Sequence, residues 1–442
     1  MIETPAVPAP EKEGLLPLAN ATPPAPPNSI AELAIPESMV FDVTLRLLRE
    51  HGQTTLTHLQ KSLRVSHSVA EAIFDDLRQR QLIEILRTLG NDYLFVLTRE
   101  ATRLAAEKSE TCRYAGPLPV ALRHYVRVVQ SQRSTLLPTR EMIRKALGEL
   151  VVPDRTIDQL GMVFASRRPV LLYGPTGSGK TSIVERLPTV HADSILVPYA
   201  VEVDAHIVQV FDPLVHHPVQ CNLWKKIDQR WVSCLRPCLV AGGELVPSML
   251  NLRLDEYAGV YSAPVQMKAN NGTLFIDDFG RQVMPPRELL NRWIVPLDRR
   301  VDYLFLQYGF TFRIPFELML VFATNLDPSE LGDEAFLRRL PNKILIGSAT
   351  PEMFDEIFRR VLHKHDLAAG PELVTYFQTS CQSRAASGLR SCYPIDIVGI
   401  LLAIAAYQRR PVEVTRENLD AAADTYFTQA PGAGGGTPCR PA

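Results

Sequence analysis

The sequence predicts an α/β protein whose parallel sheet is covered on both faces, with a small module of helices and a hairpin before it and an all-helical segment after it. Three observations predict this. Between about Thr139 and Gly347, helical stretches alternate with short apolar runs: Val170–Tyr173, Ile195–Tyr199, Thr273–Ile276, Leu318–Thr324 and Lys343–Ile346. Continuous runs of this kind belong to strands buried on both faces. A glycine-rich G-x-x-x-x-G-K-[ST] stretch follows the first run. After Pro351, apolar residues recur at helical spacing to about Phe427 and no strand pattern returns.

The 442 residues suit two or three domains. With 47 Lys and Arg against 48 Asp and Glu, the net charge of -1 excludes a chain-wide basic field for nucleic acid but not a local patch. Seven cysteines are too sparse for a disulfide framework. The start, MIETPAVPAPEKEG, has neither the basic end nor the apolar core of a secretory signal. Ile397 to Tyr407 is the longest apolar run and falls short of the roughly 20 residues a membrane span needs. A cytoplasmic protein without membrane insertion is expected.

Taken in order, residues 1–36 hold nine of the 35 prolines and read as a disordered tail. Residues 37–110 carry three helical patterns: Phe41, Leu45, Leu47 and Leu48 up to Gly52; Leu56, Leu59 and Leu63; then Val69, Ile73, Phe74, Leu77 and Leu82, with Ser66 or Ser68 as cap. ILRTLGNDYLFVLT then offers two strands around Gly90-Asn91-Asp92. Three helices and a hairpin in this order resemble a winged helix-turn-helix. Its third helix carries Glu71, Asp75 and Asp76 against Arg78 and Arg80, and the whole module has 10 basic and 11 acidic residues. A major-groove helix presents more Arg, Lys, Asn or Gln, so a protein-docking role is favoured over duplex DNA. Residues 111–138 read as a linker, 139–347 as the α/β nucleotide-binding domain, 348–428 as a helical domain and 429–442 as a second tail.

The chemistry concentrates in the second half. Gly174, Pro175, Thr176, Gly177, Ser178, Gly179, Lys180 and Thr181 match the P-loop at every position, with Val170–Tyr173 as strand and Ser182–Leu187 as helix start. Backbone amides of such a loop converge on phosphate oxygens, Lys180 pairs with the outer phosphates, and the Thr181 hydroxyl ligates Mg²⁺. Thr273–Ile276 runs into Asp277-Asp278. Asp277 is assigned to Mg²⁺ through water and Asp278 to the general base on the attacking water. Leu318–Ala323 ends at Thr324-Asn325, which puts the Asn325 amide where open α/β sheets hold ligands. Arg338 and Arg339, in DEAFLRRL, are candidates to neutralise charge on a γ-phosphate, in trans from a neighbouring subunit. Cys234-x-x-x-Cys238 lacks a second pair at zinc spacing, so no further metal site is expected.

P-loop, Asp277-Asp278, Ala323-Thr324-Asn325 and Ala335-Phe336-Leu337-Arg338-Arg339 follow the order and approximate spacing of AAA+ ATPases, which the chain resembles from about Thr139 to Phe427. RVDYLFLQYGFTFRIP, residues 300–315, places a hairpin just before the Asn325 strand, as in the MoxR-like branch. The resemblance implies a five-stranded parallel sheet of order 5-1-4-3-2, an all-α lid over residues 348–428, a homo-oligomeric ring (commonly six subunits), ATP and Mg²⁺ as ligands, and Arg338 or Arg339 as trans finger. It also implies a nucleotide-sensing arginine in the lid, for which Arg390 is the candidate, although Ile395 stands where that arginine is usual. The implied activity is ATP hydrolysis that remodels a protein partner. The family's second Walker B acid is usually Glu. Asp278 is one methylene shorter, which implies slow turnover. Two other readings remain: an ATP-regulated DNA-binding regulator, and a nucleotide-gated scaffold with little hydrolysis.

Overall fold

The computed structural model describes residues 17–19, 23–90, 92–135, 137–220, 226–331, 337–385 and 388–427. Helices Glu37–His51, Leu56–Leu63 and His67–Gln79 are followed by strands Ile83–Leu89 and Asp92–Leu97, with Thr54–Thr55 pairing on the far side of the latter. The Thr55 and Ser66 hydroxyls cap the second and third helices, accepting from the backbone N–H of His58 and Val69. The three apolar stripes meet in one core around Val43, Leu59, Ile73 and Phe95. Asn91, in the expected turn, lies outside the described residues.

Two stretches differ from what composition suggests. Residues 23–36 are packed: Leu33 and Ile35 join that core, and Ser66 Oγ donates to the Pro27 carbonyl at 2.5 Å. Proline-fixed φ angles leave little backbone entropy to lose, so a few apolar anchors suffice to order such a segment. Of the residues read as tails, 1–16, 20–22 and 429–442 lie outside the described residues. Nor is 111–138 a simple connection. Val120–Ala121 pairs in parallel with Ala200–Val203, and helix Leu122–Ser131 buries Tyr125, Val128 and Val129.

The long stretch from Tyr199 to Gly272 supplies the other four strands of that second sheet, ordered Arg253–Asp255, Val260–Ser262, His206–Gln209, Ala200–Val203, Val120–Ala121. Its Ala200, Ile207 and Val260 belong to the same apolar cluster as the N-terminal helices. Module and sheet are therefore fused through one core.

The first sheet is parallel and ordered Cys238–Ala241, Thr273–Ile276, Met319–Thr324, Val170–Tyr173, Asn342–Leu345. Four of its strands are the expected ones. The edge position is held by Cys238–Ala241, whereas the expected Ile195–Tyr199 run forms strand Ser194–Pro198, paired antiparallel with Trp231–Leu235 outside this sheet. Both runs are short and apolar, so periodicity does not separate them. The corner between Trp231–Leu235 and Cys238–Ala241 does: Arg236 donates to the carbonyls of Asn271 and Gln132 and pairs with Asp193, which turns the chain into the sheet at Cys238.

His191 lies against this corner, its ring 5.9 Å from that of Phe164. Burial, then the Arg236 charge, push its pKa down to about 4 from the usual 6.5. The folded protein keeps His191 neutral where the unfolded chain takes up a proton. Stability present above pH 6.5 is therefore lost as pH falls from about 6.5 to 4, by up to roughly 3 kcal/mol. Urea unfolding of His191→Gln at pH 7 and 4.5 is expected to show a shallower pH dependence than wild type.

Antiparallel strands Val301–Phe305 and Thr311–Pro315 form the hairpin before the Asn325 strand, with Tyr308 exposed at its tip, its ring 6.2 Å from that of His206. After the sheet, helices Pro351–Lys364, Pro371–Arg384, Tyr393–Tyr407 and Arg416–Tyr426 pack around Phe354, Phe358, Phe377, Ile397 and Leu419. Among the described residues no helix is long and apolar enough to cross a membrane.

Candidate nucleotide site

Parallel pairing brings the carboxyl ends of three strands side by side. Tyr173 lies beside Thr324 and Ile276 beside Phe322, and the Gly174 N–H continues the ladder by donating to the Thr324 carbonyl at 3.2 Å. The P-loop, Asp277 and Asn325 therefore emerge at one edge because each follows directly on its strand. Within the loop, Gly174 sits at φ +143 with the Ile346 carbonyl against its α-carbon, where a Cβ would come within 2.1 Å of that oxygen. Only glycine fits there.

Lys180 Nζ donates to the carbonyls of Gly174 and Pro175, each at 2.9 Å. Burial holds its pKa below the ordinary lysine value, against the opposite pull of Asp277 and Asp278. An ammonium kept short of counter-charge in this way is ready for a phosphate oxygen. The Thr181 hydroxyl donates to Asp277 Oδ2 at 2.8 Å, which joins the two groups assigned to Mg²⁺. Ser182 is exposed on the outer side of the helix start. Asp278 is exposed at φ +46, and its N–H donates to Asp277 Oδ1 at 2.8 Å. Gln282 ties this turn together by donating to the Asp277 carbonyl and accepting from the Gly280 N–H.

Two buried polar atoms flank the loop without a hydrogen-bond partner, Ser178 Oγ and Asn325 Oδ1. Buried oxygens are rarely left so. Their position fits a ligand whose phosphates and water would complete them, so the residues present suit a nucleotide with Mg²⁺.

The C-terminal helices close one side. Arg390 donates from its guanidinium to Thr176 Oγ1 at 2.9 Å, and the Cys392 N–H donates to the Gly177 carbonyl at 3.1 Å. Ile395 points outward and is exposed. Sequence reasoning missed Cys392 and Gln282, since neither carries a motif. Arg338 and Arg339 are elsewhere. They line a cavity with Arg167, Arg168 and Pro169, at the amino ends of the strands, so they do not join the P-loop of their own chain. Asp333 to Phe336 of the same motif lie outside the described residues.

A parallel α/β sheet with a P-loop, an acid-ended neighbouring strand and a polar amide on the next defines the core as a P-loop α/β domain. Residues 350–425 match a family described as a domain of unknown function (DUF8689). No curated protein matches. Among solved structures, the chain is similar to NtrX from Brucella abortus (TM-score 0.41, 14% identity, 64% of this chain and 57% of that one). It is also similar to a RuvB variant from Thermotoga maritima (TM-score 0.38, 13% identity, 64% of this chain and 72% of that one). The chain spans little more than half the length of the NtrX chain.

Proposed function

We propose that this chain is an AAA+ ATPase that binds and hydrolyses MgATP and uses the cycle to act on a protein partner. The observation that carries the reading is the Thr181–Asp277 hydrogen bond of 2.8 Å, with Lys180 on one side and the unpartnered Asn325 Oδ1 on the other. In this reading Thr181 and Asp277 hold Mg²⁺, which supplies charge neutralisation on the terminal phosphates. Asp278 accepts the proton of the attacking water, Asn325 orients that water, and Arg390 reports the nucleotide to the C-terminal lid. Arg338 or Arg339 reaches the nucleotide of a neighbouring subunit in a ring, for which a hexamer is favoured. The hairpin over residues 301–315 favours the MoxR-like branch.

The choice of a protein partner rests on how the N-terminal winged helix is seated. The turn before its third helix faces inward: the Leu63 carbonyl accepts from the Leu118 N–H, Arg64 lies over the Tyr199 ring at 5.6 Å, and Ser66 holds Pro27. The turn leading into that helix is thus engaged inward, and Glu71 and Asp75 put negative charge on the helix's exposed face, which disfavours a major groove. What the module offers outward is the wing, where Ile85, Leu86, Leu89 and Tyr93 are exposed. An apolar patch of this kind suits a protein surface.

The test is MgATP binding and phosphate release. Wild type is expected to turn over ATP. Asp278→Asn, which keeps size and loses the base, is expected to bind ATP within about threefold of wild type and to release phosphate at least 100-fold more slowly. A wild type that binds ATP and releases no phosphate would show a nucleotide-gated switch instead. Salt-dependent binding of duplex DNA at low salt would restore the regulator reading.

A further inference from the structure

Gln282 belongs neither to the P-loop nor to the Asp277-Asp278 pair, yet its side chain closes the turn on which Asp278 stands. Asp278 is held at φ +46, a left-handed backbone that a residue other than glycine keeps only when its surroundings fix it. The fixing contacts are local. The Asp278 N–H turns back to Asp277 Oδ1 at 2.8 Å, and the Asp278 carbonyl accepts from the Arg281 N–H at 2.9 Å. Gln282 is 9% exposed and spans the turn from inside. Its Oε1 accepts from the Gly280 N–H at 3.0 Å, and its Nε2 donates to the Asp277 carbonyl at 3.4 Å. One amide thus bridges the residue before Asp278 to the residue two after it.

The same turn is locked to the strand end that carries Asn325. Phe279, between Asp278 and Gly280, donates its N–H to the Ala323 carbonyl at 2.7 Å, and its ring lies 4.7 Å from that of Phe322. Gly280, at φ +105, leaves to Leu326 and Leu331 the space a side chain would fill. A Cβ there would come within 2.7 Å of Leu326 Cδ1 and 3.0 Å of Leu331 Cδ2. Leu326 is itself set by its N–H bond to Thr324 Oγ1 at 3.1 Å. Asp278 and Asn325, the two groups proposed to act on the attacking water, therefore stand on turns that touch through Phe279 and Gly280. A shift of the Asp278 turn changes the separation of these two groups.

We infer that Gln282 is a positioning residue for the water-activating step, acting through the backbone that carries Asp278 rather than on the nucleotide. The inference rests on the ATPase reading above and adds to it the device that aims the base. It bears on the shorter acid in particular. Aspartate reaches one methylene less far than glutamate, so the direction of its Cα–Cβ bond decides more of where the carboxylate lies. A misplacement of about 1 Å in such a group costs on the order of 100-fold. Phosphate binding makes no such demand, because the partners of Gln282 are the Asp277 carbonyl and the Gly280 amide, and not Lys180 or Thr181. Loss of the bridge is therefore read in turnover and not in affinity.

The experiment compares the full chain as wild type, Gln282→Met, Asp278→Asn and the double variant. Methionine keeps the length of glutamine and removes both hydrogen bonds. MgATP affinity is read by calorimetric titration, kcat and KM by phosphate release, and the turn itself by amide exchange over residues 277–283 without nucleotide. Gln282→Met is expected to bind MgATP within about threefold of wild type and to lower kcat by about tenfold or more with KM nearly unchanged. Exchange over 277–283 is expected to quicken while the melting temperature hardly moves. In the Asp278→Asn background the same change is expected to cost less than about threefold, because no base remains to be aimed. Gln282→Ala takes the place of Gln282→Met should methionine disturb folding. The inference is overturned if the Gln282 variant turns over ATP like wild type, if affinity falls in step with kcat, if exchange over 277–283 is unchanged, or if the loss is as large in the Asp278→Asn background as in wild type. Wild-type turnover with an indifferent Gln282 variant removes this inference alone. A wild type that releases no phosphate removes the ATPase reading, and this inference with it.

Discussion

Lys180→Ala is expected to weaken MgATP binding at least 100-fold, about 2.7 kcal/mol, and to abolish phosphate release, with no loss of folded stability beyond about 1 kcal/mol. The side chain's present partners account for the split. Nζ bonds two loop carbonyls, Gly174 and Pro175, and among the described residues no carboxylate comes within ion-pair distance of it. Its charged form is penalised by burial. Removing a desolvated ammonium relieves that penalty, and the two carbonyls belong to a half-exposed loop where water can replace the amine. The ligand has no such substitute, because a terminal phosphate loses its one buried cation. Calorimetric titration with MgATP, paired with a melting curve, separates these terms. Equal losses of binding and of melting temperature would mean that Lys180 holds the loop rather than the nucleotide.

How much of the molecule is readable from its sequence follows from how local each feature is. The P-loop, Asp277 and Asn325 were legible because each directly follows an apolar strand, and parallel pairing then aligns the strand ends. Arg338 and Arg339 were legible as residues but not as neighbours of Arg167 and Arg300, which come from helix ends far away in sequence. The edge strand was misplaced because Ile195–Tyr199 and Cys238–Ala241 carry the same apolar signal. Only the buried Arg236 corner, held by groups at least 35 residues distant, decides between them. The docking of residues 23–36 and 111–138 was hidden for a related reason. Composition reports average burial, whereas Leu33, Tyr125 and a two-residue strand fix those segments through a handful of long-range contacts.

The same distinction explains why the N-terminal module reads differently once its seat is known. Its near-neutral charge disfavoured DNA from the start, yet charge alone does not say which face is free. Leu63, Arg64 and Ser66, in the turn before the third helix, are engaged inward, while the hairpin carries Ile85, Leu86, Leu89 and Tyr93 exposed. A module fused to the second sheet through Ala200, Ile207 and Val260 moves with that sheet, so a partner held on the wing would sense motion of the body directly.

Gly177→Ala is expected to detach the C-terminal helices from the P-loop and to cost at least tenfold in ATP affinity. Gly177 lies at φ +72, where alanine costs about 1 kcal/mol. Its Cβ would stand 2.4 Å from Cys392 Sγ and 3.3 Å from Cys392 Cβ, and the first distance cannot be tolerated. Relief by withdrawal of the Cys392 segment breaks its N–H bond to the Gly177 carbonyl and carries Arg390 away from Thr176, whereas relief by a turn of the Cys392 side chain alone would leave both in place and the affinity near wild type. The backbone and contact effects are separable because only the contact depends on the sulfur. Adding Cys392→Ala removes Sγ and leaves a 3.3 Å approach that small shifts absorb. The double variant is therefore expected to regain most of the lost affinity and of the amide-exchange protection over residues 388–396, while keeping the roughly 1 kcal/mol backbone penalty in its melting curve. A double variant no better than Gly177→Ala alone would show that the left-handed backbone, and not the seat of the C-terminal helices, sets the affinity.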